Sequence, residues 1–315
     1  MEAGGGSVTV EPGDSGVRLD SFVSSRAGIS RNRAQGLITD GMVLVDGMPA
    51  EKKHRLNTGE KIAWELPPPR PNEVIGQPIE LDVVYQDDSL AVIDKPAGMV
   101  MYPGPGHEKD TLLNALLDRY PKISGVGGTG RQGIFHRLDR DTSGLVAVAL
   151  IEEAFALMVE QVKDRKVERV YTALVSGDIS AERGTIDAPM GRSRGNRKKM
   201  AVDRLAGRRA VSHFVVTERF GKEFNLVEVS LETGRTHQIR VHFAHIGHPI
   251  VGDREYSGGT AGKGLGLERQ FLHACRLSFN HPLTGEPLNL HSELPKDLAE
   301  TLERLRSQYK LPLGK

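Results

Sequence analysis

The densest gathering of reactive side-chain types in this chain is residues 133–145, where His136, Arg137, Asp139, Arg140 and Asp141 run straight into an apolar stretch at 145–151. That stretch reads as a buried strand, and a charged cluster at a strand's doorstep is a candidate active site. A charged turn with neighbouring ion pairs explains the same residues equally well. A second chemistry is suggested by His237, His242, His245 and His248, which recur near helical spacing, and pairs three or four apart can share a metal. None forms His-Glu-x-x-His, and the single thiol, Cys275, is not close in sequence, so structural histidines are the expectation and no metal is assigned. Cys275 cannot form an intrachain disulfide and reads as a small packing residue rather than a nucleophile. The glycines at 104–111 and 258–264 lack the Gly-x-x-x-x-Gly-Lys spacing of a phosphate-binding loop, which discards nucleotide hydrolysis.

The elements that must hold these residues divide in two. At 315 residues the chain exceeds one ordinary domain, which predicts one small and one large unit. Residues 1–15 are Gly-rich and polar and read as a flexible segment. Within 16–66, Leu19, Phe22 and Val23 make one helical face. A second helix runs from 30 to 38 with Ser30 as N-cap, and Gly41 closes it. A hairpin through Asp46-Gly47 and a strand at 61–66 complete this module. The Pro-rich stretch 67–78 reads as a linker, 79–309 as the larger domain and 310–315 as a tail. In the larger domain, strands are expected at 81–85, 90–93, 145–151, 167–175, 211–216, 224–231 and 271–279, with helices from 111, 152, 236 and 298. Thr236 is the expected cap of the third of these. Many strands with few helices predict an α+β fold, a mixed and mostly antiparallel sheet with flanking helices.

Charge narrows the partners. The net charge of +1 argues little for nucleic acid, but the basic side chains are sorted. Arg192, Arg194, Arg197, Lys198 and Lys199 crowd together, and the segment 191–209 contains a single acid, Asp203. No apolar run approaches the roughly 18 residues of a spanning helix, and the N-terminus lacks the basic and apolar parts of a signal peptide. A cytoplasmic protein is therefore expected.

Five motifs in order support a more specific reading. His136-Arg137-Leu138-Asp139-x-x-Thr142-Ser143-Gly144, the strand with Tyr171, and Gly234-Arg235-Thr236-His237-Gln238-Ile239-Arg240 resemble the RluA-type pseudouridine synthases. Asp94-Lys95-Pro96-Ala97-Gly98 and Leu272-His273-Ala274 with His281-Pro282-x-Thr284-Gly285 complete the set. In 16–66, Arg18-Leu19-Asp20, Ser30-Arg31 and the run 41–47 resemble the small αL RNA-binding domain named after ribosomal protein S-four. The combination is most similar to the RluD-like subgroup acting on large-subunit rRNA. One departure is Tyr102, where the resemblance leads to a His.

The resemblance implies a pseudouridine synthase fold and an isomerase that turns uridine into pseudouridine in RNA, expected to be 23S rRNA. The bond from uracil N1 to the ribose breaks, the base turns, and carbon 5 rejoins the same sugar carbon. Such a reaction needs no cofactor, metal or water, but it needs an ionised carboxylate in a dry pocket. The resemblance maps that role to Asp139, which either bonds to the sugar or stabilises a sugar cation or glycal. It makes Arg235 the ion-pair partner of Asp139, and Tyr171 the residue that stacks on the uracil and acts as a base toward the sugar. The target base must be flipped out, with Arg137 filling the gap. His136, Arg31, Arg33, Arg192, Arg197, Lys198 and Lys199 are the further RNA-binding candidates. A monomer that binds RNA and no membrane is the resulting expectation, against the rivals of a metal-dependent hydrolase and a non-catalytic RNA-binding protein.

Overall fold

The computed structural model describes residues 5–29, 31–66, 74–104, 106–128, 132–193, 195–197, 199–258, 262 and 264–309, with the backbone alone at 31–33. The chain forms two compact units that divide between Glu73 and Val74, inside the Pro-rich stretch. Residues 67–73 of that stretch lie outside the described residues.

In the smaller unit the chain runs through β1 (Gly5–Thr9), α1 (Leu19–Arg26), α2 (Arg31–Thr39), β2 (Val43–Val45), β3 (Met48–Pro49) and β4 (Lys61–Glu65). The strands form one sheet in the order β1-β4-β2-β3. Residues 5–10 are thus part of the fold rather than a loose segment. The alternation ending in Val8 and Val10 lets β1 pair antiparallel with β4, and Val10 closes over the core with Leu19, Phe22, Val43 and Ile62. Asp46 and Gly47 both take positive φ, the primed turn that matches strand twist in a tight hairpin. Asp20 is fully buried. It accepts hydrogen bonds from Arg18 at 2.7 Å and from Gln35 of α2 at 2.7 Å, which locks the two helices together. Ser30, the expected cap, and the side chains of Arg31 and Arg33 lie outside the described residues.

The larger unit continues with β5 (Asp82–Gln86), β6 (Leu90–Lys95), α3 (Leu112–Arg119), β7 (Ser143–Ala149), α4 (Glu152–Lys163), β8 (Glu168–Ser176), β9 (Arg183–Asp187), β10 (Met190–Arg192) and β11 (Met200–Val202). After these come β12 (Val211–Phe220), β13 (Phe224–Leu231), α5 (Gln238–His245), β14 (Leu272–Asn280), β15 (Pro287–His291) and α6 (Lys296–Gln308). Its nine-stranded sheet has the order β5-β6-β7-β14-β8-β13-β12-β9, with β15 also on β14. Residues 75–77 already belong to this unit, since Asn114 of α3 hydrogen-bonds both Ile75 and Gln77. The basic segment contains a two-stranded ribbon, β10 paired with β11. No helix among the described residues is long and apolar enough to cross a membrane.

Among the described residues all pairings in the large sheet are antiparallel but one: β7 runs parallel to β14 through Ser143↔His273 and Ala274↔Gly144. This junction dictates Gly144. Its φ is +114°, and a Cβ there would lie 2.3 Å from the carbonyl oxygen of Ala274. Beside it, the Ser143 hydroxyl bonds the buried His273 ring at 3.0 Å, so the Leu272-His273-Ala274 motif builds the joint between the two strands. His281 likewise bonds Asp87 at 2.8 Å and Ser89 at 3.2 Å, tying the β14–β15 turn to the β5–β6 turn. One of the five motifs is therefore scaffold.

Candidate active site

Sheet register brings the distant motifs together. Ser143 pairs with His273, and His273 pairs with Thr172 of β8, so the doorstep of β7 is level with Tyr171. Tyr171 in turn pairs with Val229 of β13, and β13 ends two residues later and feeds residues 232–237 and α5 back over the same end of the sheet. A cleft of about 710 Å³ results, lined among others by Tyr102, Arg137, Asp139, Arg169, Tyr171, Arg235, His237 and Arg240.

Asp139 is mostly buried, with its side chain 14% exposed. Arg240 Nη1 donates to its Oδ2 at 3.4 Å, and His237 Nε2 lies 3.9 Å from Oδ1. Arg235 does not take the partner role that the resemblance implies. It is exposed, and its Nε donates to the Arg209 carbonyl oxygen at 3.2 Å. The reason is where α5 begins. Thr236 is not the cap; His237 is, in the left-handed region at φ 57°. Gln238 fixes that turn by accepting from Arg235 N–H at 3.0 Å and from Thr233 Oγ1 at 2.8 Å while donating to Val211 O at 3.0 Å. With the helix starting there, Arg240 points inward and Arg235 stays outside. A non-glycine residue held at positive φ next to a candidate catalytic carboxylate is the kind of strain that collects at functional sites.

Arg240 is itself held by carboxylates. Its Nε and Nη2 donate to Asp253 at 2.7 and 3.0 Å, and Nη2 also reaches Glu255 at 3.1 Å. Burial pushes the Asp253 carboxyl up, but the hydrogen bond and charge of Arg240, with the backbone N–H groups of Glu255 and Tyr256, outweigh it and hold it below the usual range. The guanidinium stacks over the Tyr256 ring at 5.0 Å, and the Tyr256 hydroxyl bonds His237 Nδ1 at 2.8 Å. Burial keeps His237 toward its neutral form. Sequence reasoning misses this support of Asp139. The only local signal is slight: in residues 249–253 a short apolar run is followed by an acid, Asp253.

Behind the turn, Lys95 is fully buried and donates to the carbonyls of Pro96, Met99 and Arg140 at 2.8, 3.0 and 3.0 Å. It joins its own loop to the turn carrying Asp139, and burial brings its pKa down to about 7. The adjacent Arg140 and Asp141 form a surface pair at 3.0 Å.

The other candidates separate. Tyr171 is buried and faces the cleft, and burial raises its hydroxyl pKa, so the group stays a neutral phenol. Arg137 is exposed and lines the cleft. His136 is not an open RNA contact: its Nε2 accepts from Ala147 N–H at 2.9 Å, covering the edge of β7 beyond the parallel joint, and burial drives its pKa to about 3. Tyr102 donates to the Ile134 carbonyl at 3.3 Å. Arg192 and Arg197 are exposed on the basic ribbon, whereas Lys198 lies outside the described residues. Lys199 is turned inward. Its Nζ donates to the Glu255 carbonyl at 2.6 Å and sits 5.8 Å from the Tyr256 ring centre, anchoring the ribbon beside the Asp253 loop.

Three of the four histidines of the metal reading have other partners, His237 through Tyr256 as above. His242 bonds Ser212 at 2.9 Å and the Ala188 carbonyl at 3.0 Å, and His248 bonds the Ser176 carbonyl at 2.9 Å. Among the described residues no group of three His, Cys, Asp or Glu could hold a metal ion. Cys275 is partly buried and within 3.5 Å of the Val170 carbonyl, and burial pushes its thiol up.

Comparison with known proteins gives a consistent picture. Residues 89–245 match the family model described as RNA pseudouridylate synthase, and residues 17–62 match the S4 domain. An uncharacterized RNA pseudouridine synthase of Chloroflexus aurantiacus is 46% identical, covering 96% of this chain and 94% of that protein. The ribosomal large subunit pseudouridine synthase D of Pseudomonas aeruginosa is 44% identical over 90% of each. Among solved structures, human RNA pseudouridylate synthase domain containing 1 superposes with a TM-score of 0.57 at 27% identity, covering 75% of this chain and 97% of that one.

Proposed function

Because the chain belongs to the RNA pseudouridine synthases, isomerases that act on RNA, we propose that its substrate is large-subunit (23S) rRNA and that Asp139 carries the reaction. The observation that supports this reading is the convergence of Asp139, Tyr171 and Arg240 from three separate segments into one cleft. The relative whose name specifies the large ribosomal subunit supports the substrate.

In this reading the target uridine is flipped into the cleft and its base stacks on Tyr171, while Arg137 at the mouth fills the vacated position. The Arg240 guanidinium contacts the Asp139 carboxyl at 3.4 Å and fixes its rotamer as the uracil–ribose bond breaks. Tyr171, a neutral phenol, is a stacking surface and a hydrogen-bonding group rather than a phenolate base. No cofactor or metal is required, and the protein works as a monomer in the cytoplasm, where rRNA is found. The test is to incubate the protein with large-subunit rRNA transcribed without modifications and to map pseudouridine. Conversion at one or a few uridines is expected. Wild-type protein that binds the RNA and converts no uridine would favour a plain binding module.

RNA is read largely by shape and phosphate contacts, and the exposed arginines of the β10–β11 ribbon suit that work. Replacing Arg192 and Arg197 with Ala should weaken rRNA binding and lower the slope of log affinity against log salt by about 0.7 to 0.9 for each phosphate that is no longer neutralised. An unchanged slope would remove the ribbon from the interface. Lys199→Ala is expected to behave differently, because that ammonium holds the ribbon to the Asp253 loop.

A further inference from the structure

Arg169 and Tyr171 are two residues apart on β8, so their side chains leave the same face of the sheet, and both line the cleft. Three of the cations near it have carboxylate partners: Arg165 and Arg209 pair with Glu232 at 2.9 and 2.8 Å, and Arg240 is held by Asp253, Glu255 and Asp139. Arg169 has no ion pair or side-chain hydrogen bond among the described residues, and its Nε–H is buried without an acceptor. Its guanidinium packs against the bare backbone of Gly234, where a Cβ would come within 2.8 Å of Nη1. A half-buried guanidinium with an orphaned donor is costly unless an anion or acceptor completes it. Its charge also helps burial to keep the neighbouring His136 neutral.

We propose that Arg169 is a substrate-binding residue that holds an anionic oxygen of the uridine nucleotide in the cleft. The inference rests on the function proposed above. A uridine nucleotide offers such an oxygen in two places. One is the phosphodiester beside the flipped ribose. The other is a uracil carbonyl, which becomes negative when the N1–C1′ bond breaks and its electron pair stays on the base. The uracil then bonds to C1′ through C5, and the proton displaced from C5 ends on N1. Placement beside Tyr171 serves either oxygen, because the residue that stacks the base is the next one along the same strand face.

The experiment compares wild type with Arg169→Gln and Arg169→Lys, using uridine 5′-monophosphate and uridine as equilibrium probes and unmodified large-subunit rRNA as the reactant. If the phosphodiester is the partner, wild type binds the monophosphate about tenfold more tightly than uridine, and Arg169→Gln loses that preference and raises KM. If the uracil oxygen is the partner, the preference is unchanged and Arg169→Gln lowers the single-turnover conversion rate by about 100-fold at equal RNA affinity. In either case Arg169→Lys keeps part of the effect. Gly234→Ala, which pushes the guanidinium away while leaving it present, moves in the same direction as Arg169→Gln. A converting wild type whose Arg169→Gln variant keeps probe preference, KM and rate within about twofold overturns the inference while leaving the proposed function standing. Wild type that neither converts rRNA nor prefers the monophosphate overturns both. Circular dichroism and thermal midpoints separate these results from misfolding.

Discussion

Asp139→Asn is expected to bind unmodified large-subunit rRNA within a few-fold of wild type and to convert none of it at measurable rates, a loss of about 10³-fold or more in single turnover. The substitution preserves volume and leaves an acceptor 3.4 Å from Arg240 Nη1, so the cleft keeps its shape. What it removes is the carboxylate on which, in the proposed mechanism, bond breaking at the sugar carbon depends. Filter binding and pseudouridine mapping on the same preparations separate the two effects. A variant that still converts rRNA at a tenth of the wild-type rate would exclude Asp139 as the group that carries the reaction.

The second large effect concerns stability as well as activity. Arg240→Met should lower the unfolding free energy of the larger unit by about 3–5 kcal/mol, because it strands the fully buried Asp253 without its guanidinium. Arg235→Met should cost little, since Arg235 is exposed. Denaturant midpoints of the two variants check the contrast, and equal midpoints would refute the assignment of Arg240 as the buried partner. The pH dependence has a defined sign. In the wild type the Asp253 pKa is held below its unfolded value, so its contribution is complete above about pH 4 and is lost as pH falls through the lower folded value. Without Arg240, burial raises that pKa instead, and the variant recovers relative stability on acidification. The gap between wild type and Arg240→Met should therefore narrow in acid. Adding Asp253→Asn to Arg240→Met should recover part of the loss by removing the unpaired charge.

Both predictions turn on a distinction between two arginines five residues apart. Arg235 and Arg240 are the same residue type in one motif, and both border the same cleft. Their spacing does not separate them. The start of α5 does, and that start is set by Gln238 bonding Arg235, Thr233 and Val211, the last of them 27 residues away in sequence. The same limit applies to the basic residues. Arg192, Arg197 and Lys199 look alike along the chain, yet only pairing of β10 with β11 and the position of the Asp253 loop turn Lys199 inward. His136 shows it again, since its commitment to Ala147 depends on the edge of β7 that the short parallel pairing with β14 leaves open.

Much was legible in the linear chain. The alternation and apolar runs identified most strands of the large sheet, and Thr111 caps α3 at the expected place. The Asp46-Gly47 turn and Gly41 behaved as their residue types require, because such local conformations depend on a few adjacent side chains. The ordered motifs were enough for the family and for the cleft containing Asp139 and Tyr171. The short strands β9, β10, β11 and β15 were not recognisable, being too brief to carry a period and stabilised by partners remote in the chain. What linear order cannot contain is which of several like-charged side chains meets a given carboxylate. Residues 139, 169, 171, 240 and 253 become neighbours only through strand register and one helix start. The partner of Asp139 was therefore decided by tertiary packing, in which a buried guanidinium must find the carboxylates that offset its lost hydration.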